Sequence, residues 1–276
     1  MLDTYNRVAD HYTHRSLKAT IAAGLEELKA TTDLTDVDLL GSVDEFHIGG
    51  RPATQAMAEK LELDASHRVL DVGCGLGGTA RFLTTLAGCD VSGIDLTPEY
   101  IEVGNSLNQQ LGLGDQIDLH VANALSMPFE DASFDRATML HVGMNIADKT
   151  ALFAEIARTT KPGALCGIYD VMRTDNEPLV YPVAWAADQT TSFVAPVDQY
   201  RSEMEANGFE VLSVTNKRDV AIKFFEAIKA RLAAGGPPPL GLHIVMGKDA
   251  KTKVGNMASN VVKGSIAPVE IIARRV

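Results

Sequence analysis

Val69-Leu70-Asp71-Val72-Gly73-Cys74-Gly75-Leu76-Gly77-Gly78-Thr79 is the stretch whose reading decides the fold. His67 to Val72 is an apolar strand and Thr79 to Leu86 has a helical pattern, so the glycines lie in a strand-to-helix turn. Glycine lets the backbone bend sharply and come close to a ligand, whose polar groups then meet N–H donors at the helix start. Gly73, Gly75 and Gly78 also satisfy the spacing G-x-G-x-x-G, so a dinucleotide is one reading. A P-loop is not, because no Gly-Lys-Ser/Thr follows.

Working outward, strands and helices alternate. Strands are expected at Asp90–Ile94, Ile117–Val121, Phe134–Leu140 and Ala164–Val171. Helices are expected from Thr97, as N-cap before Pro98, and over Asp148–Thr159, with a turn at Lys161-Pro162-Gly163. Such alternation implies a parallel sheet with helices on both faces. Upstream, Thr4–Ala30 reads as helix, Asp33–Gly50 is mixed, and Pro52–Leu61 is a helix with proline in its first turn. Downstream, Arg173–Val197 breaks the pattern. Helices follow at Pro196–Asn207, Lys217–Ala234 and Ala250–Val262, and strands at Phe209–Thr215 and Ala267–Ala273. We expect one domain over 1–276: a helical lid (1–66), a cofactor-binding core (67–172), a cap with later core elements (173–264) and a final strand (265–276).

Asp71 narrows the ligand. A carboxylate two residues before the first glycine repels a pyrophosphate but attracts an ammonium or sulfonium. Asp95 closes the second strand, roughly 20 residues past the turn, where a carboxylate accepts hydrogen bonds from ribose hydroxyls. The pocket suits an adenosine with a cationic amino-acid tail.

At these residues the chain resembles the class I S-adenosylmethionine-dependent methyltransferases, from about His47 to the end. Val69 to Gly78 matches the family's first motif and Gly93-Ile94-Asp95-Leu96 its second. Ala122-Asn123-Ala124-Leu125 looks like the third, with Asn123 where the family usually has Asp; an amide oxygen still accepts a hydrogen bond from an adenine amino group. Ser133-Phe134-Asp135 through Leu140-His141 resembles the fourth. Phe46-His47-Ile48-Gly49-Gly50, His141 to Ile146, and Tyr181-Pro182-Val183-Ala184-Trp185 look like a small-molecule branch that includes sarcosine/dimethylglycine N-methyltransferases. The resemblance implies a Rossmann-like α/β fold, with a seven-stranded, mostly parallel sheet, its last strand antiparallel, under a helical cap. It implies S-adenosyl-L-methionine held by Asp71, Gly73, Cys74, Gly75, Asp95, Leu96, Asn123, Ala124 and Leu140. Arg51 is the candidate partner of the cofactor carboxylate, the alternative being a surface turn.

Methyl transfer from a sulfonium is an in-line displacement that needs positioning and a dry site. An amine acceptor must arrive neutral, and a hydroxyl or thiol needs a base. His141 ends the fourth strand and is the candidate base or orienting residue; packing on the cofactor is the alternative. Asn145 either bonds the acceptor or caps the helix near Asp148, and Met144 packs or touches the acceptor. His47, Tyr181 and Trp185 complete the expected acceptor wall, where aromatic faces suit a methylated ammonium. Tyr12 could lid the cofactor. His11 and His14 share a helix face but lack a third ligand, and no metal is expected.

Composition sets the outer bounds. The chain has 276 residues, 46% hydrophobic and 22% charged, with a formal net charge of −11. That is enough apolar sequence for a sizeable core, and the acid surplus argues against nucleic-acid partners. No apolar run reaches the roughly 18 residues of a membrane span, and Met1-Leu2-Asp3-Thr4-Tyr5 does not open a signal peptide. Three separated cysteines, Cys74, Cys89 and Cys166, form no disulfide framework. A cytoplasmic monomer or homodimer is expected, methylating a small molecule, most simply at an amine nitrogen. Oxygen or sulfur acceptors, a nicotinamide- or flavin-linked oxidoreductase, and a binding protein without turnover are the alternatives.

Overall fold

A computed structural model describes residues 2–13, 16–29 and 36–276. Four helices come first: α1 (Leu2–Tyr12), α2 (Leu17–Lys29), α3 (Asp36–Asp44) and α4 (Arg51–Lys60). The core then runs β1 (Arg68–Val72), α5 (Gly78–Ala87), β2 (Asp90–Asp95), α6 (Pro98–Gln110), β3 (Ile117–Val121), β4 (Phe134–Leu140), α7 (Lys149–Thr159) and β5 (Thr160–Arg173). After an irregular segment come α8 (Val197–Ala206), β6 (Phe209–Asn216), α9 (Arg218–Gly235), α10 (Leu242–Met246), α11 (Ala250–Lys263) and β7 (Ile266–Arg275).

The seven strands lie in the order β3-β2-β1-β4-β5-β7-β6. Neighbours from β3 to β5 are parallel, and β7 runs antiparallel to both β5 and β6. This is the expected Rossmann-like sheet with its last strand reversed. Val69, Leu70 and Val72 are fully buried because helices cover both faces of a parallel strand. The chain winds from β1 toward β3 on one side and returns to β4 on the other. The crevice at the carboxyl ends of β1, β2 and β4 is where such sheets hold ligands.

The turn residues follow their chemistry. Gly73, Gly75 and Gly77 have φ values of 73°, 54° and 80°, in the left-handed region that a side chain disfavours. A Cβ on Gly73 would collide with the methyls of Val142. Gly88 and Gly264 close α5 and α11 in the left-handed conformation.

Three expectations needed correction. The N-terminal helical reading splits into α1 and α2, and His14 lies outside the described residues. The mixed segment contains α3, whose Leu39, Leu40 and Val43 bury against α2 and α6. Lys161-Pro162-Gly163 lies within β5 as a break in register: Phe134 pairs with Thr160 and Arg136 with Leu165, with Gly163 at φ 84°.

The later helices are built from a different core. α9 and α11 pack antiparallel, because Arg218 at the start of α9 donates to the carbonyls of Val261 (2.9 Å) and Val262 (2.7 Å) at the end of α11. Trp185, Phe225, Met246, Met257 and Val261 bury together with Ile48 of the segment before α4 and Met144 of the loop after β4. Among the described residues no helix is long and apolar enough to cross a membrane.

Candidate active site

One cavity of about 760 Å³ lies over the carboxyl ends of β1, β2 and β4. Its wall on the sheet side is made of Asp71, Gly73, Cys74, Gly75, Asp95, Leu96, Asn123, Ala124, Leu140 and His141, so the structure gathers these sequence-predicted residues in one place. His47, Met144, Asn145 and Trp185 line it as well. Arg51 and Tyr181 do not. Arg51 Nε sits 2.9 Å from Glu45 Oε1, its Nη2 donates to the Val37 carbonyl, and its guanidinium lies 4.6 Å from the Phe82 ring centroid. Arg51 is thus held by a buried carboxylate of its own segment, outside the cavity lining. Tyr181 packs on the cap core beside the irregular segment, leaving Trp185 to face the cavity.

The polar wall is held by the backbone. Asp95 Oδ1 accepts from Thr97 N–H (2.8 Å) and Oδ2 from Gly75 N–H (3.1 Å), so this carboxylate ties the second strand to the glycine turn. Asp71 Oδ1 accepts from Thr138 Oγ1 (2.9 Å), while Oδ2 is buried and meets no protein donor. Burial raises the Asp71 pKa to about 7, and the nearby Asp95 pushes it the same way. Asn123 Oδ1 accepts from Leu125 N–H (3.0 Å), shaping the turn after β3 and leaving its second lone pair to spare.

His141 is locked. Its φ of 56° follows from the tight exit of β4. Nδ1 lies 3.1 Å from the Tyr169 carbonyl, which fixes the proton there, and Nε2 accepts from Ile48 N–H at 3.3 Å. Burial lowers its pKa to about 3. Both ring nitrogens are therefore spent on backbone, and the side chain joins β5 to the segment before α4 instead of offering a free base. His47 is similar: Nε2 lies within 3.2 Å of the Gly50 carbonyl and of Thr54 Oγ1, and burial lowers its pKa to about 4.

The loop after β4 is pinned from beneath. Buried Lys149 donates to the carbonyls of Gly143 (2.8 Å), Ile146 and Phe193 (3.1 Å). Asp170 Oδ2 accepts from Tyr200 Oη at 2.6 Å, and a Cβ on Gly143 would strike both groups. Asn145 does not cap α7, since Asp148 does so itself by accepting from Ala151 N–H at 2.8 Å. Asn145 Nδ2 donates instead to Tyr12 Oη (3.1 Å), bringing α1 over the cavity, and its Oδ1 is buried without a protein donor. His11 Nε2 lies 3.0 Å from the Ala184 carbonyl, so it serves that closure and not a solvated face.

Sequence reasoning missed the opposite wall. Phe224, Phe225 and Ile228 of α9, Met246 of α10, and Val254 and Met257 of α11 line the same cavity. Phe224 and Ile228 at i, i+4 were a visible signal of a shared face, but nothing in the sequence says what that face meets.

Residues 70–168 match the family model described as a methyltransferase domain. Residues 70–168 are therefore a methyltransferase domain. A methyltransferase of Streptomyces halstedii, GfsG, is 28% identical over 178 residues, which cover 63% of this chain and 64% of that protein, so the chain spans less than two thirds of this relative. Among solved structures, a putative sarcosine dimethylglycine methyltransferase from Galdieria sulphuraria aligns at TM-score 0.66 and 22% identity, over 80% of this chain and 84% of that one. Geranyl diphosphate C-methyltransferase from Streptomyces coelicolor A3(2) aligns at TM-score 0.68 and 18% identity, over 99% and 98%. At such identities the likeness is one of fold.

The sheet-side wall of the cavity fits S-adenosylmethionine. Asp71 Oδ2 and Tyr100 Oη are buried polar atoms that line the cavity and find no partner in the protein. Such atoms cost stability until a ligand meets them, and the ammonium and hydroxyls of an adenosyl amino acid are donors of the right kind. A Cβ placed on Gly75 meets nothing nearer than Tyr100 at 4.0 Å, so the turn leaves room for a close ligand.

Proposed function

We propose that this methyltransferase methylates an amine nitrogen of a small molecule with a bulky apolar body. The observation that carries the reading is His141, whose two ring nitrogens both hold backbone groups. An acceptor served by such a site cannot depend on that imidazole for deprotonation. A neutral amine needs no base before attack, whereas a hydroxyl does.

When bound, S-adenosylmethionine supplies a methyl carbon that the acceptor lone pair takes in line as the carbon–sulfur bond breaks, leaving a neutral thioether. Asp71, Asp95 and the glycine turn hold the adenosyl and amino-acid parts in this reading. The loop pinned by Lys149 sets the depth at which the acceptor stops. Methylation moves positive charge onto the acceptor nitrogen, and buried Glu45 lines the cavity with its pKa raised to about 7, mainly by burial. Its two oxygens are held by Arg51 and Thr54, so it adds negative charge to that end of the cavity without acting as a free base. Trp185, Phe224 and Phe225 exclude water and offer ring faces to the same charge.

The test is to incubate the enzyme with methyl-labelled cofactor and a metabolite extract, then to locate the label in the product. Label on an amine nitrogen is expected. Label on oxygen, sulfur or carbon contradicts the proposal.

A further inference from the structure

The cap carries a second feature that methyl transfer does not use. The chain has 36 acidic and 25 basic residues, and acids gather at the sheet end of the cavity, where Asp44, Glu45, Asp71 and Asp95 line it. Cations gather at the other end: Arg231, Lys248 and Lys251 line the same cavity. None of the three has an ion-pair partner among the described residues. All three are exposed, so their heads are free to meet an incoming group.

Their placement follows from the helix pairing. On α9, Phe224, Ile228 and Arg231 are spaced i, i+4, i+7 and share one face. On α11, Lys251 and Val254 are spaced i, i+3 and share another. The helices are antiparallel, fixed at the far end by Arg218 bonding the carbonyls of Val261 and Val262. The carboxyl end of α9 and the amino end of α11 therefore meet at the same mouth, and each apolar stripe ends there in a cation. Seven helical steps take the chain from Phe224 to Arg231, a rise of about 10 Å.

We propose that Arg231, Lys248 and Lys251 form an anion-recognition site at the mouth of the acceptor chamber, so that the acceptor is an amphiphile with a carboxylate, sulfonate or phosphate about 10 Å from its apolar body. The proposal rests on the cap end of the cavity being the acceptor chamber, as in the function proposed above. Arg offers a planar fork to an oxyanion, and two lysines add charge without fixed geometry. Asp44 and Glu45 are paired with Arg81 and Arg51, which leaves Asp71 and Asp95 as the negative end for a cationic cofactor and the three exposed cations as the positive end for an anionic acceptor.

Two fluorescent probes that differ by one sulfonate test it: 8-anilinonaphthalene-1-sulfonate and neutral N-phenyl-1-naphthylamine, each titrated into the protein with and without S-adenosylhomocysteine. The triple variant Arg231→Gln, Lys248→Gln, Lys251→Gln should bind the sulfonate roughly tenfold more weakly, as expected for three exposed pairings, and the neutral probe as the wild type does. Added salt should weaken only the sulfonate complex of the wild type. Arg231→Gln alone should give a smaller loss of the same kind. Unchanged sulfonate affinity in the triple variant, or equal loss of both probes, overturns the proposal. Failure of the wild type to bind S-adenosylhomocysteine would instead overturn the cofactor reading, which the probe comparison does not need.

Discussion

The two ends of the cavity are built in opposite ways. The sheet end is made of short turns fixed by backbone: Asp95 bonds Gly75 and Thr97, Asn123 bonds Leu125, and His141 bonds Tyr169 and Ile48. The cap end is made of side chains from three helices and the irregular segment, with Trp185, Phe225, Met246 and Met257 meeting in one apolar cluster. A backbone-fixed wall tolerates little change and suits a constant ligand. A side-chain wall changes its shape with each substitution and suits a ligand that differs between relatives. In the proposed reading the cofactor takes the first end and the second end decides the acceptor.

Breaking the sheet end should have the largest effect. Gly73→Ala puts a Cβ into Val142 at a φ of 73°. Left-handed strain and the clash together cost about 2–4 kcal/mol, so calorimetry should show S-adenosylhomocysteine binding weakened on the order of 100-fold. At the cap end, Phe225→Ala removes a buried ring. It should lower unfolding stability by about 3 kcal/mol and raise the acceptor KM, while cofactor affinity stays within about twofold because the ring is remote from the turn. If both variants damage cofactor and acceptor binding alike, the division between the ends is wrong.

The smallest effect is a pH dependence confined to the sheet end. Asp71 has its pKa raised from the ordinary carboxylate range to about 7, chiefly by burial. In the free protein the charged form that attracts an ammonium is therefore complete only above that pH. Affinity for S-adenosylhomocysteine should rise with pH up to about 7 and then level, with roughly a tenfold loss one unit below. The stability contribution of this group runs the other way: it is fully present below the unfolded pKa and is lost as pH rises through the folded one. Asp71→Asn should flatten both dependences. A pH-independent affinity in the wild type would remove Asp71 from the cofactor's amino group.

The same contrast explains what the sequence made legible. The glycine turn, Asp71, Asp95 and the strand–helix alternation are local patterns, each readable within a few residues; the alternation implies a parallel sheet, while the seven strands and the reversed last one came from the family resemblance. His141 directly follows β4 and Asn145 lies four residues on, as read, but their partners, Tyr12, Tyr169 and Ile48, are distant in sequence. No local pattern states whether a histidine has a free nitrogen. Arg51 was misread because its partner, Glu45, lies in a segment without periodicity. Tyr181 and Trp185 lie in another such segment, where nothing tells which ring packs and which faces the cavity. The cap wall was out of reach because Phe224, Met246 and Val254 converge only when α9, α10 and α11 assemble.

The central claim is that the β1–β2 end of this cavity is built for an adenosyl amino acid and not for a dinucleotide. Thermal unfolding of the full chain with each ligand tests it directly. S-adenosylhomocysteine should raise the melting temperature in a concentration-dependent way, and NAD(P) should leave it unchanged. Stabilisation by NAD(P) without stabilisation by S-adenosylhomocysteine would contradict the account.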